Sequence, residues 1–465
     1  MKKLLAVFVL LATLSAPLAG QQLSTSERAA IDSVARTVLA ATRAPSASLA
    51  VVRGGEIVYE QGYGDARIEP KAAAAPGMRY AIGSVSKQFT AAAVLLLVEE
   101  DKLSLDDKVA KWFPQLTRAN DISIRNLLSM TSGYQDYWPQ DFVFPDMQRP
   151  TTAQAIMQRW AGKALDFEPG SKWQYSNTNY VVAAAIVERV SGVPFMEFLR
   201  TRIFTPLEMT SVVDYDAGRL GASDAGMYLR NALGPLRASP KEAKGWLYGA
   251  GQLAMTAHDL ALWNLSMINR SLLKPESYEV MQRDMLLNGG TATGYGLGVN
   301  IGMPGGRRRI AHGGAVSGYT TSNEVFPEER AAITVFTNIY PGAAGAPGQI
   351  AARIRNLIFA PTSAPDTAAD ALARRIYDGL MRGTIDRAFF TPAANAYFSQ
   401  EALSDYQSSL APLGAPTEFS RQGDSLRGGM KLRFYQIRAG GVTMQLTTMT
   451  MPDGKIEQYI IARGG

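Results

Sequence analysis

The sequence predicts an α+β fold: an antiparallel sheet joining the two ends of the first 360 residues, a helical lobe inserted between them, and a second small α+β module. Three observations carry this expectation. Strand-like alternation of apolar and polar residues occurs at 46–67 and returns at 295–338. Between those stretches, from about Ser84 to Met285, the signals are mostly helical, with apolar runs near 91–98, 151–161, 180–190 and 259–268. A Pro-, Ala-, Thr- and Asp-rich stretch at 361–369 then reads as a linker to a further helix and strands.

The first element is a leader. Lys2 and Lys3 precede an apolar run from Leu4 to Leu14 and small residues at Ala16, Ala19 and Gly20, which is the pattern of a secretory signal peptide cut near Gly20. The alternative is an uncleaved anchor, but the run falls short of the ~20 apolar residues that a bilayer span needs. The expected division is therefore a signal peptide at 1–20, a main α+β domain at 21–360, a linker at 361–369 and a small α+β module at 370–465. The expected location is secreted, periplasmic or extracellular, with no transmembrane anchor after cleavage.

Two strands, Ser48 to Arg53 and Glu56 to Gln61, are joined through Gly54 and Gly55 as a hairpin. From Phe89 to Val98 a helix carries almost no polar side chain, so it is expected to be buried on all faces. Strands are expected at Ser322 to Phe326 and Ala332 to Thr337, and a helix from about Gly348 to Phe359. In the last module, Asp370 to Arg382 reads as a helix, and Met430 to Ala462 as two or three strands with a turn at Pro452, Asp453 and Gly454.

Composition excludes several functions. With 46% hydrophobic and 19% charged residues, the 465-residue chain reads as globular. Cysteine is absent, so there are no disulfides. Only two histidines occur, His258 and His312, outside any H-E-x-x-H pattern; no metal or cofactor is expected. The formal charge of +6 becomes +4 without Lys2 and Lys3, too mild to imply nucleic acid. The basic run Arg307 to Arg309 reads as a solvated turn in preference to a patch attracting anionic substrate.

Three motifs carry chemistry. Gly83-Ser84-Val85-Ser86-Lys87 is an S-x-x-K motif at a helix entrance. Alone it is weak, because Ser271 and Lys274 repeat it, and Ser84 in isolation also reads as a helix N-cap. The apolar helix behind it argues otherwise: a desolvated Lys87 becomes a proton acceptor near neutral pH, and i, i+3 spacing sets its amine beside the Ser84 hydroxyl. The second motif is Tyr175-Ser176-Asn177, whose alternative reading is a helix cap with Tyr175 as a core aromatic. The third is His312-Gly313-Gly314 in a strand-like stretch, where glycines mark either a close approach of another backbone or ligand, or a simple bulge or turn.

In that order, S-x-x-K, Y-x-N and H-G-G resemble the penicillin-recognising serine hydrolases: class C β-lactamases, D-Ala-D-Ala carboxypeptidases, D-aminopeptidases and related esterases. Supporting stretches are Ile124 to Gly133, Gly249 to Leu253 and Tyr295 to Gly298. The resemblance implies a β-lactamase/transpeptidase-like fold and an acyl-enzyme on Ser84, with Lys87 activating it and Tyr175 relaying the proton. It further implies substrate binding by Asn177, His312 and Gly314, and an oxyanion hole from the backbone N–H groups of Ser84 and Ala315.

The implied substrate is small or peptidoglycan-derived, most specifically a D-amino acid peptide, amide or ester. A true β-lactamase and a non-catalytic penicillin-binding-type receptor remain as alternatives. Against the first, His312 stands where many β-lactamases of the family carry the permanent cation of K-T-G. Against the second, both the lysine and the tyrosine are retained. A Ser-His-Asp mechanism would need G-x-S-x-G, and Gly221-Ala222-Ser223-Asp224-Ala225 lacks its last glycine.

Met130 replaces a histidine frequent in the family and reads as packing away from the reacting atoms. The aromatic stretch Tyr134 to Met147 reads either as a rim over the acyl pocket or as a self-packed loop. The last module resembles an NTF2-like fold, with a role in partner binding, cleft access or dimerisation left open.

Overall fold

The structure, a computed structural model, describes residues 22–140, 142–359, 367–427 and 429–463. The expected signal peptide and residues 361–366 of the expected linker lie outside the described residues.

The first helix, α1 (Thr25–Thr42), was not foreseen from the sequence. A capping box of Ser24 and Glu27 starts it, and its face of Ile31, Ala35 and Val38 is buried. Strands β1 (Ser46–Arg53) and β2 (Glu56–Ile68) form the expected hairpin, with Gly54 and Gly55 both at positive φ. β2 runs seven residues past the expected Gln61 and pairs with the short β3 (Lys71–Ala73).

The inserted lobe begins with α2 (Ser86–Glu99), in which every residue from Ser86 to Leu97 is buried, as a helix without a polar face requires. It packs beside α3 (Asn177–Ser191), also buried over most of its length. The segment between about 205 and 256 departs from the helical expectation. It is irregular, with two- and three-residue strands such as Leu253–Met255, because Gly218, Gly221, Gly226, Gly234, Pro235 and Pro240 interrupt every helical run. Helix α4 (Ala257–Asn269) restores regular structure and lies against the sheet.

The far end of the domain supplies β4 (Asn300–Gly302), β5 (Arg309–Val316), β6 (Tyr319–Phe326) and β7 (Ala331–Thr337). β7 pairs antiparallel with β1, Leu49 opposite Val335 and Val51 opposite Ile333, so the sheet closes across the two chain ends in the order β3-β2-β1-β7-β6-β5-β4. Both faces are covered. Leu49, Val51 and Val335 pack under α1 and α5 (Ala346–Ile358), whereas Ala50, Val52 and Phe336 face the lobe, the alternation that a two-sided buried strand demands.

The C-terminal module contains α6 (Thr367–Leu380), a short helix at Pro392–Tyr397, α7 (Gln400–Leu410) and four antiparallel strands, β8 (Glu418–Arg427), β9 (Met430–Ala439), β10 (Val442–Thr450) and β11 (Ile456–Arg463), the strands in that spatial order. Its own core gathers Tyr377, Leu380, Phe398, Ile437, Leu446 and Tyr459. The fourth strand escaped the sequence reading because Glu418–Arg427 is nearly all polar and shows no alternation. Helix α6 begins three residues before the expected boundary at 370.

Candidate active site

Ser84 lies in a one-turn 3-10 helix, Gly83–Val85, leading into α2, and its side chain does not cap the helix. The Lys87 amine donates to Ser84 Oγ at 2.9 Å, to Asn177 Oδ1 at 2.8 Å and to the Ala250 carbonyl at 2.8 Å. Lys87 is fully buried, and that burial pulls its pKa from 10.5 down to about 7, against an upward pull from the Asp136 carboxylate. Near neutrality the amine therefore exists as both acid and base. When it is neutral, two N–H groups suffice for the two carbonyl oxygens, and the remaining lone pair faces the Ser84 hydroxyl.

Tyr175 and Asn177 arrive from the entrance of α3. The Tyr175 phenol lies beside Ser84, which offsets part of the upward shift that burial imposes on it, and the Lys87 amine stands 5.0 Å from the centre of its ring. Burial pushes the phenol's pKa up, so it holds its proton at neutral pH. Neither Ser176 nor Asn177 makes the side-chain cap that the alternative reading required; Asn177 instead turns both ends of its amide inward. Its Oδ1 accepts from Lys87, and its Nδ2 donates to the Asp136 carboxylate at 3.1 and 3.3 Å.

The third motif lies on β5. β4 pairs with Arg309–Ala311, so from His312 onward that edge of β5 has no strand partner among the described residues and borders the turn at Ser84. The approach is close enough to demand glycine on both sides. A Cβ at Gly314 would fall 1.9 Å from the Ile82 carbonyl oxygen and 3.2 Å from Ser84 N, and one at Gly83 would fall 2.7 Å from Ala315 N. The backbone nitrogens of Ser84 and Ala315 are thus neighbours, as an oxyanion hole requires.

His312 is buried; its Nδ1–H donates to the Gly313 carbonyl and its Nε2 accepts from the Tyr295 hydroxyl at 3.0 Å. Since a carbonyl can only accept, that pairing fixes the tautomer. Burial, reinforced by Lys87, lowers its pKa from 6.5 to about 4, so the imidazole is neutral at pH 7.

All seven expected site residues thus meet at one place, and Ser84, Tyr175, Asn177, His312, Gly314 and Ala315 line a cleft of about 710 Å³. Three participants were not foreseen. Ala250 and Tyr295 belong to supporting stretches of the sequence, whereas Asp136 sits in the aromatic loop with nothing in the chain to single it out.

That loop divides between the two readings. Trp138 and Tyr137 both line the cleft, but the Tyr137 ring also packs inward, its centre 6.0 Å from those of both Trp160 and Trp246. Met130 is closer to the site than expected: its sulfur accepts the Ser176 N–H at 3.4 Å, bracing the second motif from beneath. Arg307, Arg308 and Arg309 each pair with a glutamate, Glu329, Glu328 and Glu324 respectively, so their charge is taken up locally.

This arrangement has counterparts among known proteins. The family model described as Beta-lactamase matches residues 31–355. Penicillin-binding protein 4* of Bacillus subtilis is 26% identical over 366 residues, covering 76% of this chain and 79% of that protein. A D-aminopeptidase of Brucella anthropi is 27% identical over 369 residues, covering 75% of this chain and 66% of that protein.

Solved structures show the same fold. The D-amino acid amidase of Ochrobactrum anthropi SV3 superposes with a TM-score of 0.63 at 23% identity, over 72% of this chain and 99% of that one. The octameric penicillin-binding protein homologue of Pyrococcus abyssi gives a TM-score of 0.62 at 22% identity, over 93% of this chain and 99% of that one. With the family match extending over more than half of its length, the chain belongs to the beta-lactamase family of serine hydrolases.

Proposed function

We propose that this protein is a secreted hydrolase of amides, peptides or esters of D-amino acids with a free amino group, acting through an acyl-enzyme on Ser84. The observation that carries the mechanism is the 2.9 Å contact between Ser84 Oγ and a buried amine titrating near 7. Lys87 takes the hydroxyl proton as Oγ bonds to the substrate carbonyl carbon, and the carbonyl oxygen becomes an oxyanion held by the N–H groups of Ser84 and Ala315. Tyr175, protonated and beside Ser84, passes a proton to the leaving nitrogen or oxygen as its bond to carbon breaks, and is reprotonated from Lys87. Water then enters by the reverse path, giving the free acid and restoring Ser84.

The charge of the cleft supports the substrate class. Among its described lining residues there is no lysine or arginine; His312 is neutral, and Asp136 is the acidic group. A substrate carboxylate, as in a β-lactam or a carboxypeptidase substrate, finds no counter-ion there, whereas a substrate ammonium finds Asp136. The D configuration is supported by the names of the relatives, D-aminopeptidase and D-amino acid amidase. The C-terminal module, which we take as NTF2-like from its leading helix and strand-rich end, keeps partner binding, cleft access and dimerisation as its candidate roles.

The test is a panel of D-alanyl and L-alanyl p-nitroanilides, the N-acetylated D form, p-nitrophenyl acetate and nitrocefin, with Ser84→Ala as the blank. The expected result is turnover of the free D-alanyl amide, loss of at least about tenfold on N-acetylation, and fluorophosphonate labelling of Ser84. Absence of both labelling and turnover in the native chain would overturn the mechanism; preference for nitrocefin would replace the substrate class.

A further inference from the structure

Asp136 makes more hydrogen bonds than a loop carboxylate needs. Its Oδ1 accepts the backbone N–H of Asn177 at 2.9 Å, that of Trp138 at 3.2 Å and the Asn177 side-chain amide at 3.1 Å. Its Oδ2 receives the same amide at 3.3 Å, and the residue lines the cleft. Every named partner is a donor, which suits the ionised carboxylate, an acceptor only. The Asn177 N–H it binds belongs to the first residue of α3, where the helix dipole also favours an anion.

An asparagine amide can present either end to a neighbour, and the two ends have opposite effects on a lysine base. With Oδ1 facing Lys87, the amine's N–H groups are tied to Asn177 and Ala250 and its lone pair is left for Ser84. With Nδ2 facing Lys87, the amide would donate into that lone pair and the amine could not take the serine proton. The choice is made on the far side of Asn177, because only the NH2 end can bond to a carboxylate.

We propose that Asp136 is a positioning residue that locks the Asn177 amide with its oxygen toward Lys87 and so keeps the lysine's lone pair aimed at the Ser84 hydroxyl. This rests on the reading of Ser84 and Lys87 as nucleophile and base. Asp136 touches neither, and acts through Asn177.

Its charge leaves a separate signature. The titratable groups around the Lys87 amine are Ser84, Tyr175, Tyr180, His312 and, through Asn177, Asp136. Burial raises the Asp136 carboxyl above its usual value of 3.8, opposed by the N–H donors of Trp138 and Asn177 and by Lys87; with the tyrosines protonated and His312 neutral near pH 7, its carboxylate is the charge that acts on Lys87, and it raises the lysine's pKa. Removing the charge while keeping the hydrogen bonds moves the acid limb of the rate profile to lower pH. Moving the charge onto position 177 moves that limb to higher pH.

The experiment measures kcat and KM from pH 5 to 9 on p-nitrophenyl acetate, which has no ammonium to bind Asp136, for Asp136→Ala, Asp136→Asn and the exchange variant Asp136→Asn/Asn177→Asp. Asp136→Ala is expected to lower the plateau kcat at least about tenfold with little change in KM. Asp136→Asn is expected to show its limb at lower pH, and the exchange variant to show the limb at higher pH. A native plateau in Asp136→Ala, or an unmoved limb in both other variants, overturns the proposal. If Asp136→Ala does not fold, the opposed limb shifts of the other two decide it. Failure of the native chain to label at Ser84 would instead sink the underlying mechanism.

Discussion

Replacing Lys87 by methionine should make the protein inactive and, at neutral pH, more stable. A lysine titrating near 7 when folded and near 10.5 when unfolded leaves the folded state about 5 kcal/mol less stable below pH 7 than above pH 10.5. The sign follows from proton counting: between those values the unfolded chain holds the proton and the folded chain does not, so stability rises with pH across that window. Lys87→Met removes the term. It also strands Asn177 Oδ1 and the Ala250 carbonyl, at about 1–2 kcal/mol each. The balance is a gain of about 1–3 kcal/mol at pH 7.

By pH 10 the native chain has recovered about 4 kcal/mol, and the order of stabilities reverses. Urea unfolding at pH 6 to 10 reads this directly. All six tryptophans lie between Trp112 and Trp263, so their fluorescence follows the catalytic domain alone. The difference between the two proteins should change by up to about 1.4 kcal/mol per pH unit above 7. A difference independent of pH would refute the claim that Lys87 is held as a near-neutral amine.

The same titration predicts that kcat/KM falls on the acid side of about pH 7, by about 100-fold at pH 5, in a pH–rate profile on an uncharged ester. Gly314→Ala should lower kcat by about 100-fold or more without unfolding the chain, because the added methyl forces β5 away from the Ile82–Ser84 turn and separates the two oxyanion donors; steady-state kinetics with circular dichroism checks both halves. Trp138→Ala should change the ranking of ester and amide substrates in the panel, since its ring forms part of the cleft wall. Arg79→Ala should destabilise by about 3–5 kcal/mol in urea unfolding, because it leaves the Asp224 carboxylate, only 3% exposed, without the guanidinium 2.7 Å away.

Much of this molecule is legible in the chain. The apolar run behind Ser84 announced a helix buried on all sides, and burial of that helix is what lowers the Lys87 pKa. The alternation at 46–67 and 295–338 marked the two halves of one sheet, although their pairing through β1 and β7 is a long-range contact. Helix α1 and strand β8 were missed for opposite reasons. α1 has a clear amphipathic face but follows directly on the stretch expected to be a signal peptide, whereas β8 is almost wholly polar and owes its state to pairing with β9.

The sequence by itself determined the α+β class and the order of the three motifs, because local spacing and apolar patterning are written in consecutive residues; the proton-relaying role of Tyr175 was implied only by the family resemblance that those motifs carry. Only the tertiary structure decided how those groups are poised. Asp136, Ala250 and Tyr295 act on Lys87, Asn177 and His312 across gaps of 17 to 163 residues, through hydrogen bonds whose direction depends on which end of a neighbour is already occupied. Such pairings follow from packing in three dimensions, where burial sets each pKa and each acceptor fixes the next donor, and no one-dimensional pattern encodes them.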